Sequence, residues 1–111
     1  MTVTLSPVVP PVDLFIRWRA DEGWGTLARD TAERALAASL YAVSAMDGDR
    51  LVGIGRLVGD GAVYVFLEDI IVHPDYQGQG VGRLIVEHLV AEAKAMAGAG
   101  ATIALLAAPG K

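Results

Sequence analysis

The segment "AVYVFLEDIIV" (62–72) carries apolar side chains at both odd and even positions and is rich in β-branched and aromatic residues. A strand that is apolar on both faces belongs in the middle of a sheet, with cover on each side. A glycine-rich turn, "HPDYQGQGVG" (73–82), follows it. Beyond the turn, apolar residues at Val81, Leu84, Ile85, Leu89, Ala93 and Met96 keep a 3.6-residue period, and Gly98 and Gly100 close the helix behind Lys94. "ATIALLAA" (101–108) is then a short, wholly apolar strand. A strand, a helix and a strand of these lengths make a right-handed crossover, so the last strand should run parallel to the central one.

Upstream, two turn signals decide the rest of the sheet. "LYAVSAM" (40–46) ends at "DGDR", and "LVGIGRLVG" (51–59) ends at "DG", so these two strands and the central one form an antiparallel meander. "TVTL" (2–5) is a short first strand broken by "SPVVPP". Leu14, Phe15 and Trp18 recur at helical spacing within residues 12–20. A second helix is expected over residues 30–39, with Asp30 as N-cap and Glu33 as its capping-box partner. At 111 residues the chain is expected to be one domain, 1–111, of α/β (α+β) class. Its mixed central sheet is antiparallel at the start, parallel at the end, and flanked by helices.

Composition removes several functions. A net charge of -4 gives a field that repels phosphate backbones, so nucleic acid is not an expected partner. The absence of cysteine excludes a disulfide framework, a thiol nucleophile and thiolate metal sites, and two histidines make a histidine-rich metal centre a poor reading. No run of 18 apolar residues suggests a membrane span, and no signal-peptide pattern opens the chain, so a cytoplasmic protein is expected.

Glycines at 78, 80 and 82 directly precede a helix. Uncapped N–H groups and the positive end of the helix dipole make such a place an anion site, phosphate above all. A nucleotide-hydrolysing loop would need Lys and Ser or Thr after its last glycine, where Arg83 and Leu84 stand. A dinucleotide turn would need a further glycine at Arg83 and an acid near the next strand, and neither is present. "QGQGVG" (77–82) has the form Q-x-x-G-x-G. Behind a strand ending "DIIVHPDY", it resembles the acetyl-CoA-binding signature of GNAT-type N-acetyltransferases. The order of elements from about residue 12 to 108 resembles that family too.

The resemblance implies acetyl-CoA as co-substrate, no metal, and transfer of acetyl to a primary amine of a small molecule or peptide by direct attack in a ternary complex. Main-chain groups of Gln77, Gly78, Gln79, Gly80, Val81, Gly82 and Arg83 would wrap the pyrophosphate. Ile71 and Val72 would offer their main chain to the pantetheine arm, and an N–H near Ile71 would serve the oxyanion. The Arg83 side chain either adds a phosphate contact or is a solvated first-turn arginine.

An attacking ammonium must first lose a proton to a nearby base. Glu68 and Asp69 are carboxylates inside an apolar strand, where unpaired charge is costly. Alternation puts Glu68, Ile70 and Val72 on one face and Asp69 with Ile71 on the other, barring a bulge. Family members often carry a base at the position of Glu68, which makes it the candidate; Asp69 is expected to bond to loop amides. His73 is expected to cap or face solvent, and His88 to pack partly on the last helix. Tyr41, Tyr64, Tyr76 and Trp18 are expected to pack, and Trp24 either packs or lines the acceptor pocket.

GNAT-type enzymes continue past the equivalent of "LLAAPGK" into a further helix and strand pair, which commonly supply the tyrosine that protonates the leaving thiolate. Because "APGK" resembles a mid-domain loop, the chain is expected to be truncated. If these 111 residues are instead the true chain, the apolar edge at residues 102–107 is expected to pair across a homodimer. A catalytically impaired acyl-CoA-binding or regulatory module is the alternative to an enzyme, and a structural subunit whose turn binds nothing is a third.

Overall fold

The computed structural model describes residues 2–105. Five strands form one sheet in the order β1-β2-β3-β4-β5: β1 (Val3–Ser6), β2 (Tyr41–Asp47), β3 (Arg50–Gly59), β4 (Tyr64–Val72) and β5 (Thr102–Leu105). The first four are antiparallel in turn, and β5 lies parallel to β4, with Tyr64 opposite Thr102 and Leu67 opposite Leu105. Three helices cover the sheet: α1 (Val12–Asp21), α2 (Arg29–Ala37) and α3 (Val81–Met96). The meander and the parallel β4–β5 pair stand as the sequence implied; β4 is an interior strand between β3 and β5, and β3 is the middle one of the five described.

Apolar residues of the helices divide into two cores. Val81, Ile85, Leu89 and Ala93 lie at i, i+4, i+8 and i+12 of α3 and bury against Val43, Leu57, Val65 and Leu67 on one face of the sheet. On the opposite face Phe15 and Trp18 of α1 and Ala32 and Leu36 of α2 close over Ile54 and Ile71. The spacing between α3 and the sheet is set by glycine. A Cβ on Gly55 would come within 2.8 Å of Ile85 Cγ2 and 2.9 Å of Leu89 Cδ1. β3 is therefore bare where α3 crosses it.

Local details differ from the periodic reading. α2 begins at Arg29 after Ala28, which makes no side-chain cap, so Asp30 is inside the first turn and not the N-cap. Glu33 faces Arg29 at 3.7 Å across one turn instead of reaching back to a cap. β4 starts at Tyr64 because Asp60 takes the residues before it: its Oδ1 accepts from the N–H groups of Ala62, Val63 and Tyr64 at 2.8–2.9 Å. Tyr64, expected to pack, is 50% exposed and stacks on Phe66. The last strand is described to Leu105; the expected continuation to residue 108 and the "APGK" end lie outside the described residues.

Candidate active site

After Val72 the chain leaves the sheet through a single 3-10 turn, Pro74–Tyr76. His73 caps it, Nδ1 accepting from the N–H of Asp75 at 3.1 Å, the capping role foreseen for it. Gln77 then donates from Nε2 to the carbonyl of Val72 at 3.0 Å, tying the turn back to the strand end. Gln79 Nε2 donates to the carbonyl of Asp75 at 3.2 Å. The first glutamine of the Q-x-x-G-x-G run thus acts as a brace, and it occupies the Val72 carbonyl.

Gly78 and Gly80 have φ of 75° and 88°, the left-handed region in which a side chain is strained. Added Cβ atoms there would meet no protein atom within 4 Å, so the backbone path demands glycine while the space beside it stays open. Gly82 is different. It lies in the first turn of α3, and a Cβ would only touch Val72 Cγ2 at an ordinary 3.5 Å, so nothing in the fold requires glycine there. α3 starts at Val81 with no side-chain cap and no acidic residue in its first turn. Val81 is buried and anchors the helix start to the core. Arg83 is exposed and pairs with Glu87 at 2.9 Å.

Within β4 the alternation breaks. Ile54 of β3 stands opposite Ile71, but Arg56 stands opposite Glu68, so three residues of β4 span the distance of two on β3. The extra residue is Asp69, at φ 55°, and the result is a β-bulge. Ile70 and Val72 pack on the α3 side, while Ile71 packs with α1 and α2. Glu68 faces its cross-strand partner Arg56 on the α1/α2 side. The expected grouping of Glu68 with Ile70 and Val72 is corrected: the bulge turns Glu68 and Asp69 to one face.

Asp69 is buried and bonded to two arginines, not to loop amides as expected. Arg19 of α1 donates from Nη1 to Oδ1, and Arg56 of β3 donates from Nε to Oδ2 at 2.6 Å. Arg56 also donates from Nη1 to the carbonyl of Ala35 at 3.0 Å and to Ser39 Oγ at 3.3 Å, joining the end of α2 to the cluster. Phe15 lies under both guanidinium groups, 5.8 Å from Arg19 and 5.5 Å from Arg56. Neither arginine was singled out from sequence, although Arg56 in the middle of "LVGIGRLVG" was a signal of the same kind as Glu68.

Glu68 Oε2 is buried and has no hydrogen-bond partner among the described residues. Burial raises the proton affinity of its carboxyl, the charge of Asp69 raises it further, and Arg56 and Arg19 oppose both. A carboxyl so placed holds a proton more readily than a free one.

A cleft of about 560 Å³ opens between α1 and the end of β4. Leu14, Trp18 and Ile71 wall it, and Val72, His73 and Gln77 connect it to the glycine turn. Ile71, Val72 and Gln77 are thereby brought to one place. Glu68 does not line the cleft; it lies just before the bulge, three residues back from Ile71 along β4. Trp18 is core, and Trp24 packs against the same cluster. His88 is partly packed, its Nε2 2.6 Å from the Tyr41 hydroxyl.

Residues 12–109 match the model of the acetyltransferase (GNAT) family, and the chain belongs to that family. Among curated relatives it is similar to the probable acetyltransferase TAP2 of Glycine max, at 32% identity over 91 residues, 71% of this chain and 37% of the relative. Among solved structures it superposes on a probable acetyltransferase of meticillin-resistant Staphylococcus aureus with a TM-score of 0.86 and 33% identity, covering 96% of this chain and 80% of that one. A GNAT family protein of Streptococcus pneumoniae gives 0.75 and 32%, with 99% and 77% covered. The matches span from 16% to 42% of the curated relatives' own length. No helix among the described residues is long and apolar enough to cross a membrane.

Proposed function

We propose that the protein transfers the acetyl group of acetyl-CoA to a primary amine of a small molecule or peptide. One observation carries the reading: the uncapped, acid-free start of α3 behind Gly78 and Gly80, where the backbone is bent and the adjoining space is empty of protein. The residues fit a diphosphate. Free first-turn N–H groups offer hydrogen bonds, the helix dipole adds positive potential, and Gly82, which the fold does not require, keeps the approach clear. Amides of residues 78–83 would hold the pyrophosphate, and the main chain of Ile71 and Val72 would align the pantetheine arm.

Bound acetyl-CoA supplies the activated acyl group, a thioester. The protein's own part is placement and proton transfer. Glu68 takes the proton the ammonium must lose, so that the nitrogen lone pair can form the new C–N bond as the C–S bond breaks. An N–H near Ile71 stabilises the oxyanion. A cytoplasmic location and a homodimer belong to the same proposal.

Thiol release from acetyl-CoA, followed over a panel of primary amines, tests the reading. Amine-dependent release is expected. CoA binding without release for any amine would leave a binding module, and no CoA binding would remove the assignment.

A further inference from the structure

Three charged groups surround Glu68 on its face of the sheet, and they are joined. Asp69 follows it in β4, Arg56 opposes it from β3, and Arg19 reaches the same carboxylate from α1. On the α2 side the cluster meets the Ala35 carbonyl and Ser39 Oγ, while Glu33 and Arg34 of that helix are exposed. The Asp69 side chain is only 4% exposed, against 21% and 16% for the arginines. Two cations on one carboxylate leave about one net positive charge beside Glu68. The strained residue of the bulge, at φ 55°, is the same one that both arginines grip. A non-glycine residue in the left-handed region persists only where its surroundings hold it.

We propose that Asp69, clamped by Arg19 and Arg56, is a positioning residue: it holds the bulge that brings its own carboxylate onto the α1/α2 face beside Glu68, and it sets the charge under which Glu68 binds its proton. The inference rests on Glu68 being the base, and it assigns the clamp a role beyond packing. Removal of the Asp69 charge leaves two unbalanced cations near Glu68 and makes its proton easier to lose. Removal of the Arg19 charge does the reverse. The two changes therefore move the same titration in opposite directions.

The experiment follows the Glu68 side-chain carboxyl by carbon-detected NMR across pH in the full chain, for wild type, Asp69→Asn and Arg19→Met. The expected midpoints move down in Asp69→Asn and up in Arg19→Met, each by on the order of one pH unit. Unmoved midpoints in the variants that fold overturn the proposal, and either variant alone suffices if the other does not fold. A kinetic cycle separates this from a merely structural role. Asp69→Asn is expected to lower kcat in the wild-type background and to add no further loss to Glu68→Gln. Equal fold-losses in both backgrounds would make Asp69 structural and overturn the proposal. Near-wild-type turnover of Glu68→Gln would instead defeat Glu68 as base, an outcome the NMR titration keeps separate.

Discussion

Glu68, the proposed base, is a carboxyl that the folded chain holds at a cost. Its raised proton affinity, caused first by burial, means that the folded form binds the proton more readily than the unfolded chain. By linkage, the stability associated with the protonated carboxyl is present at low pH and declines as pH rises toward and through the raised folded value. Glu68→Gln should therefore be more stable than wild type at pH 7, with the difference closing below about pH 4, where the carboxyl is protonated in both states. Denaturant midpoints at the two pH values check this, and a variant less stable than wild type at pH 7 would contradict it. The same substitution should lower turnover at neutral pH by about 10²–10⁴-fold with little change in acetyl-CoA affinity. The loss should shrink as pH approaches the amine's own pKa. At this scale the sequence was partly legible. A carboxylate in an apolar strand announces itself, and so could Arg56. The bulge did not: an extra residue in β4 changes no residue type, so alternation grouped Glu68 with Ile70 and Val72.

The element that presents the proposed cofactor site is α3, and its seat on β3 decides where its N-terminus points. Gly55→Ala forces a methyl into Ile85 and Leu89, both fully buried, and should destabilise the fold by about 1–3 kcal/mol as overpacking does. Chemical denaturation reads this directly; an unchanged midpoint would show that α3 can lift away freely. At the helix start, Gly80→Asp introduces left-handed strain of about 1–2 kcal/mol and places an anion against the free amides. The variant should fold with a modestly lower melting temperature, yet lose the rise in melting temperature that CoA gives the wild type. A rise equal to wild type would remove the phosphate cradle from residues 78–83. Elements with a strong period, β4 and α3 above all, were readable to within a residue or two. The start of α2 was not. Asp30 has the residue type of a cap, but the main chain enters the helix two residues earlier, with Ala28 at the N-cap, and side-chain preference yields to that path.

Across the whole molecule the two cores divide labour. The α3 core seats the helix start proposed to hold phosphate, and the α1/α2 core carries the cleft, the clamp and Glu68. Strand order and fold class were legible because one crossover and two tight turns admit few topologies. The cleft was not legible, since it depends on how α1 lies over the end of β4. Near the parallel strand pair, Val63, Tyr64 and Leu105 are each at least half exposed, an apolar group that a second copy of the chain would cover. Light scattering should give twice the 11.6 kDa of one chain, and a monodisperse 11.6 kDa species would contradict a homodimer. The most direct measurement for the whole account is a titration of ¹⁵N-labelled protein with CoA, read amide by amide. The largest shifts are expected at residues 78–83, with smaller ones at Ile71 and Val72 and none along β1 and β2. Shifts centred elsewhere, or none at millimolar CoA, would contradict it.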